Sequence, residues 1–179
     1  QFAVATGSTP DLQYHSSTTI LNIGEWYHIA GVYSGTDAKV YINGVLETTV
    51  AQTGTITYSS SVVNLGRYSD DNEAHYLNGN IDEVRIWNTA VDSNTIREWM
   101  TKKLNTSHTN LSDLHSYYRF DENSGTTLND LAGNNNGTLT NMDPNTDWVH
   151  SGAALGDESK FTYGGTSLLD TLSRGNQIT

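Results

Sequence analysis

Asn43-Gly44 separates two short alternating runs, Lys39-Val40-Tyr41-Ile42 and Val45-Leu46-Glu47-Thr48-Thr49-Val50. A two-residue type I′ turn needs positive φ at both central positions, and Asn-Gly meets that demand at little cost. The chain therefore doubles back here as an antiparallel hairpin. Upstream, Trp26 to Tyr33 is rich in aromatic and β-branched residues and reads as a strand. Trp26, His28, Ala30 and Val32 would share one face of it. Ser34-Gly35-Thr36-Asp37 supplies the intervening turn. Downstream, Val62 to Gly66 reads as a short strand, Arg67 to Gly79 as a polar loop and Asn80 to Trp87 as a further strand. Together these segments predict an antiparallel meander.

One helix interrupts it. Asp92-Ser93 can cap its N-terminus, and Ile96, Trp99 and Met100 fall at i, i+3, i+4. Lys102 and Lys103 follow, where the helix dipole favours cations. Trp99 and Met100 are expected in the core. Residues 104–115 read as a polar connector, Tyr117 to Asp121 as the start of a second strand-like block, and Phe161-Thr162-Tyr163 and Ser167-Leu168-Leu169 as further short strands.

Charge narrows the partners. Nine Lys and Arg stand against 20 Asp and Glu, a formal net charge of −11 over 179 residues. Nucleic-acid phosphates and anionic membrane surfaces are disfavoured, whereas calcium, cationic partners and neutral polysaccharides suit such a surface. There is no cysteine, so neither disulfides nor thiolate metal sites arise. No stretch has the roughly 18 apolar residues of a bilayer-spanning helix, and membrane insertion is not expected. No signal peptide is evident, and the strand-like Gln1-Phe2-Ala3-Val4 reads as a chain that begins partway through a larger fold.

The segments GEWYHIAGVY, KVYINGVLETT, VNLGR, LNGNIDEVRIWNTAVDSNTIREWM and YYRFDENSGTTLNDLAGNNNGTL resemble, in that order, the second half of a laminin-G-like jelly roll of the concanavalin A-like lectin/glucanase superfamily. The resemblance implies an all-β antiparallel jelly-roll sandwich with one short helix, its N-terminal strands missing from this sequence. It implies that residues 1–103 form the C-terminal part of the jelly roll, 104–116 a connector, 117–158 a trailing segment, and 159–179 a linker or the start of another β module. WVHSGAALGDES is similar to linkers of large exported Bacteroidetes-type proteins, including gliding-motility adhesins.

Asp82-Glu83, followed by Arg85, poses the question of catalysis. A retaining glycosidase needs two carboxyls about 5–5.5 Å apart. In a strand, adjacent side chains point to opposite faces, so Asp82 and Glu83 would diverge while Glu83 and Arg85 pair on one face. Related glucanases carry an acid-hydrophobic-Asp-spacer-acid strand. Aligning Asp82 with its central Asp puts Asn80 at the nucleophile and Val84 or Arg85 at the acid/base position, so the resemblance carries no catalytic pair. An exposed Glu83–Arg85 pair would contribute about 0–1 kcal/mol.

Ser69-Asp70-Asp71-Asn72-Glu73 is the densest run of oxygen ligands, and calcium binds such groups on adaptable loops. In pentraxin relatives the corresponding loop holds calcium, so the resemblance points to Asp70, Asp71, Asn72 and Glu73 as metal ligands. A solvated acidic loop is the competing reading. Asp121-Glu122-Asn123, Asn129-Asp130 and Asn134-Asn135-Asn136 form a second acidic, amide-rich region, where turn chemistry is the first expectation. The six histidines lack zinc spacing, and no nucleophile elbow or phosphate-binding loop occurs. Sugar binding calls for exposed aromatics; Tyr58, Tyr68, Tyr76 and Trp148 are candidates, and Tyr68 and Tyr76 flank the acidic loop. The expectation is a non-catalytic extracellular or cell-surface module that binds a glycan or other surface or secretion-system proteins, with calcium as a possible cofactor. The alternatives are an accessory domain of a polysaccharide-degrading enzyme and a ligand-free spacer.

Overall fold

The computed structural model describes residues 1–7, 11–57, 62–69, 74–150, 152–153, 155, 162–163 and 166–167. Among the described residues, every strand pair is antiparallel. The chain divides into two compact units, residues 1–57, 89–113 and 152–179 in the first, and 58–88 and 114–151 in the second.

In the first unit, β1 (Phe2–Thr6) pairs with β2 (Asp11–His15), and β3 (Ile29–Tyr33), β4 (Asp37–Ile42) and β5 (Val45–Ala51) form a meander. Asn43 and Gly44 take φ of 48° and 72°, the turn that their sequence demands. Asn43 is fully buried; its Oδ1 accepts the His28 N–H at 2.8 Å, and its own N–H donates to the His28 carbonyl at 2.8 Å. The turn thus also pins the entry to β3. The expected strand from Trp26 begins only at Ile29; at His28 the backbone N–H bonds the Asn43 side chain in place of a backbone carbonyl.

β4 is the core strand, with Ala38, Val40, Tyr41 and Ile42 all buried. The β1–β2 hairpin is clasped to this sheet. Gly31 lies so close to the Phe2 ring that a Cβ there would sit 2.3 Å from it. Buried His15 Nε2 and Gln52 Oε1 are 2.8 Å apart, and Gln52 Nε2 donates to the Val4 carbonyl. Glu47 accepts the backbone N–H groups of Thr18 and Thr19 at 2.8 and 2.9 Å, holding the chain after β2 against β5.

The helix α1 (Ser93–Trp99) forms where the pattern places it. Asp92 is its N-cap, accepting from Asn94 N and Thr95 N, and Ile96, Trp99 and Met100 are buried. Met100 and Arg97 rest on Gly44: a Cβ there would lie 2.9 Å from the Met100 sulfur. Lys102 lies 5.4 Å from the Trp99 ring centre and 3.5 Å from Glu98.

In the second unit, β6 (Arg67–Ser69) pairs with β7 (Ala74–Tyr76), β8 (Val84–Trp87) with β9 (Leu114–Tyr118), and β10 (Thr127–Leu128) with β11 (Gly137–Thr138). Three expectations change here. Val62 to Leu65 form no strand, and the polar loop from Arg67 instead folds into the β6–β7 ribbon. The strand expected from Asn80 starts only at Val84, because Glu83 takes a left-handed φ of 53° that breaks the extended run. β9 begins at Leu114, within the segment read as connector, after a 3-10 turn at Leu111–Asp113. In the last stretch, β12 (Thr162–Tyr163) pairs with β13 (Thr166–Ser167).

Candidate functional site

The β6–β7 ribbon places chemistry at the surface. Its register pairs Tyr68 with His75 and Arg67 with Tyr76. Directly opposed residues of an antiparallel pair share a face, and sequence neighbours alternate. Tyr68 and His75 therefore occupy one face, and Arg67 and Tyr76 the other. The Tyr68 and His75 rings stack with centroids 6.2 Å apart and planes inclined by 25°. The Arg67 guanidinium lies 5.8 Å from the Tyr76 ring centre, a cation–π contact. Tyr68 is 50% and Tyr76 68% exposed, so both rings offer apolar area to a ligand. Leu77 N donates to the Gly66 carbonyl, extending the ladder below the ribbon.

The two tyrosines expected to flank the acidic loop are both exposed, yet they stand on opposite faces rather than side by side. Arg67 and His75, their cross-strand partners, were missed. The signal was present: Arg-Tyr-Ser and Ala-His-Tyr border a polar turn sequence with period-2 spacing. Asp70, Asp71, Asn72, Glu73 and Tyr58 lie outside the described residues. Among the described residues, no group of three or more His, Asp or Glu is arranged to hold a metal ion. Trp148 is half-buried, and its indole N–H donates to the Gly125 carbonyl at 2.7 Å.

Asp82 and Glu83 are placed by something other than strand alternation. Asp82 Oδ1 accepts the backbone N–H of Glu83 at 2.8 Å, and Glu83 turns left-handed. Glu83 Oε2 then accepts from Arg85 Nη2 at 2.8 Å and from the Tyr117 hydroxyl at 2.6 Å. Arg119 Nε stands 3.7 Å from Glu83 Oε1, and Arg119 also pairs with Asp121. The expected Glu83–Arg85 pair is present, but it is not exposed: the two side chains retain 9% and 10% of their accessibility. Burial raises the consequence of breaking it.

Asp130 organises the amide-rich loop. Its carboxylate accepts the N–H groups of Tyr117, Ala132 and Asn135 at 2.9, 3.0 and 3.2 Å. Burial by itself would raise the carboxyl pKa; the three backbone donors and Ser116 outweigh it and bring it down to about 2. Asn136 Oδ1 accepts the Asp130 N–H, and Asn135 Nδ2 donates to Ser116. Gly133 fits because a Cβ would lie 3.0 Å from Asp130 Oδ2 and 3.1 Å from the His115 carbonyl. Glu47 is likewise lowered: burial opposes the shift, and bonds from Thr19 and Thr18 prevail. Asp92 is lowered by the Thr95 hydroxyl and the first helical N–H groups. These three shifts run opposite to the raised pKa of a general acid.

A laminin-G family model, described as the concanavalin A-like lectin/glucanases superfamily, matches residues 1–97. No curated protein matches the chain. Among solved structures, the chain is similar to a Bacteroides ovatus protein named a "putative carbohydrate binding protein", at 24% identity and a TM-score of 0.58, over 74% of this chain and 38% of that one. It is also similar to an S-layer domain-containing protein of Clostridium thermocellum, at 23% identity and a TM-score of 0.42, over 51% of this chain and 45% of the other. The chain therefore spans less than half the length of either protein. The family match takes in more than half of the 179 residues, and the antiparallel strand pairing and the one α-helix among the described residues agree with it. The chain belongs to the laminin-G-like branch of the concanavalin A-like lectin/glucanases superfamily.

Proposed function

We propose that this chain is a non-catalytic carbohydrate-binding module that acts in adhesion at a cell surface or in the extracellular space. The exposed aromatic ribbon carries this reading. Tyr68 and Tyr76, 50% and 68% exposed, offer flat apolar rings beside polar partners, the combination that a sugar's C–H face and hydroxyls require. A net charge of −11 favours neutral polysaccharide over polyanions. The carboxylates of Glu83, Asp130 and Glu47 hold neighbouring protein groups, which supports binding without bond cleavage. The Bacteroides ovatus protein adds a shared fold. Calcium enters the proposal through the sequence of Asp70, Asp71, Asn72 and Glu73, whose oxygens would supply ligands near the ribbon.

A glycan array covering neutral and acidic polysaccharides, read with calcium and with EDTA, tests both parts. Retention on neutral glycans is expected, at least tenfold weaker in EDTA. Loss of all binding under both conditions rejects the module reading. Binding that EDTA leaves unchanged, with an unaltered calcium isotherm for Asp70→Ala/Asp71→Ala, removes calcium alone.

A further inference from the structure

Resting on that carbohydrate-binding reading, we infer that the β6–β7 ribbon is two-sided: each face engages its own segment of neutral polysaccharide, so one copy of the chain can bridge two strands. Antiparallel hairpins commonly bury one face, and an isolated one is marginal in water. Among the described side chains of this ribbon, none is buried on either face. Arg67, Tyr68, Ala74, His75 and Tyr76 are all exposed.

Both faces are furnished for contact. One carries the Tyr68–His75 ring pair, the other Arg67 beneath Tyr76. The ribbon's own backbone lies between the two tyrosines, so a pyranose stacked on one cannot touch the other. Arg67 is exposed, and its planar guanidinium carries N–H donors of the kind that ring hydroxyls accept. Cross-strand pairs of this kind contribute only about 0.2–1 kcal/mol each to a sheet. Fold stability alone therefore gives little reason to set an aromatic pair on both sides of so short a ribbon.

The occupant is a neutral glycan on both sides. Its rings present an apolar C–H face to tyrosine and hydroxyls to His75 and Arg67. The chain's surplus of acids repels a polyanion approaching either face.

The test uses the full chain with beads coated separately with a β-1,3-glucan, a xyloglucan, a galactomannan or chitin. Retention on the beads and their agglutination are both recorded. The wild type should be retained on at least one coating and agglutinate those beads. Tyr68→Ala and Tyr76→Ala, which should lower the melting midpoint only slightly because each loses one partly exposed cross-strand pair, should each stay bound within about tenfold yet lose agglutination. The double variant should lose binding. Retention without agglutination by the wild type overturns the inference. So does a single variant that still agglutinates, or one that no longer binds; in those cases the carbohydrate reading stands. If no coating retains the wild type, the carbohydrate reading fails and this inference falls with it.

Discussion

At Gly44 two requirements meet. Its φ of 72° is left-handed, and the Met100 sulfur and Arg97 Cα stand 2.9 and 3.2 Å from where a Cβ would go. Gly44→Ala combines the left-handed penalty with a steric contact and should cost about 2 kcal/mol or more, read as a lower urea midpoint. The first requirement is legible in the Asn-Gly dipeptide; the second appears only once α1 is docked. Asp130 is the converse case. Its sequence context says only that a turn-forming acid is present, whereas the folded loop directs three N–H donors at it. Its folded pKa of about 2 lies below the unfolded value near 3.9, so its stabilisation is complete above pH ~4 and is lost as pH falls toward 2. That amounts to roughly 2–3 kcal/mol. Amide protection at Tyr117, Ala132 and Asn135, taken relative to the intrinsic exchange rate at each pH, should fall across this window in the wild type. Asp130→Asn should exchange faster already at pH 7 and show a flatter acid response.

Among the elements, β8 and β9 show how a charge pattern acquires its meaning from burial. The i, i+2 spacing of Glu83 and Arg85 anticipates their pairing, and the pair forms at 2.8 Å. The left-handed turn at Glu83 was not readable, since no glycine marks it and Asp82 must fold back on the next N–H to support it. Glu83→Gln leaves the Arg85 guanidinium buried beside a neutral amide and should cost about 3 kcal/mol. Tyr117→Phe removes one hydrogen bond and should cost about 1 kcal/mol. Urea denaturation followed by fluorescence measures both; a Glu83→Gln cost within about 0.5 kcal/mol of zero, as for a surface site, would show the pair to be solvated. The β6–β7 ribbon reads as a loop in the sequence because its strands are three residues each and the intervening sequence is rich in Asp and Asn. Periodicity is weak evidence over three residues. Helix α1 was legible because a cap and an apolar i, i+3, i+4 pattern agree.

Over the whole molecule, the order of motifs anticipates an all-β antiparallel fold of the concanavalin A-like superfamily, and the family match over residues 1–97 agrees. Charge acts at this scale too. On the proposed carbohydrate-binding reading, a surplus of 11 negative charges would favour neutral over anionic polymers. The candidate site was half legible: Tyr68 and Tyr76 stand out as aromatics beside an acidic run, but their separation onto two faces depends on a register that links Arg67 with Tyr76 and Tyr68 with His75. By itself the sequence determined the local matters: the Asn43-Gly44 reversal, the Asp92 cap and the net charge. Each depends on residues close along the chain or on composition alone. Tertiary structure alone decided which carboxylates are engaged, that the Glu83–Arg85 pair is buried, and which aromatics share a face. Those outcomes depend on contacts between residues distant in sequence, where burial changes the energy of a charge and strand register sets which way a ring points.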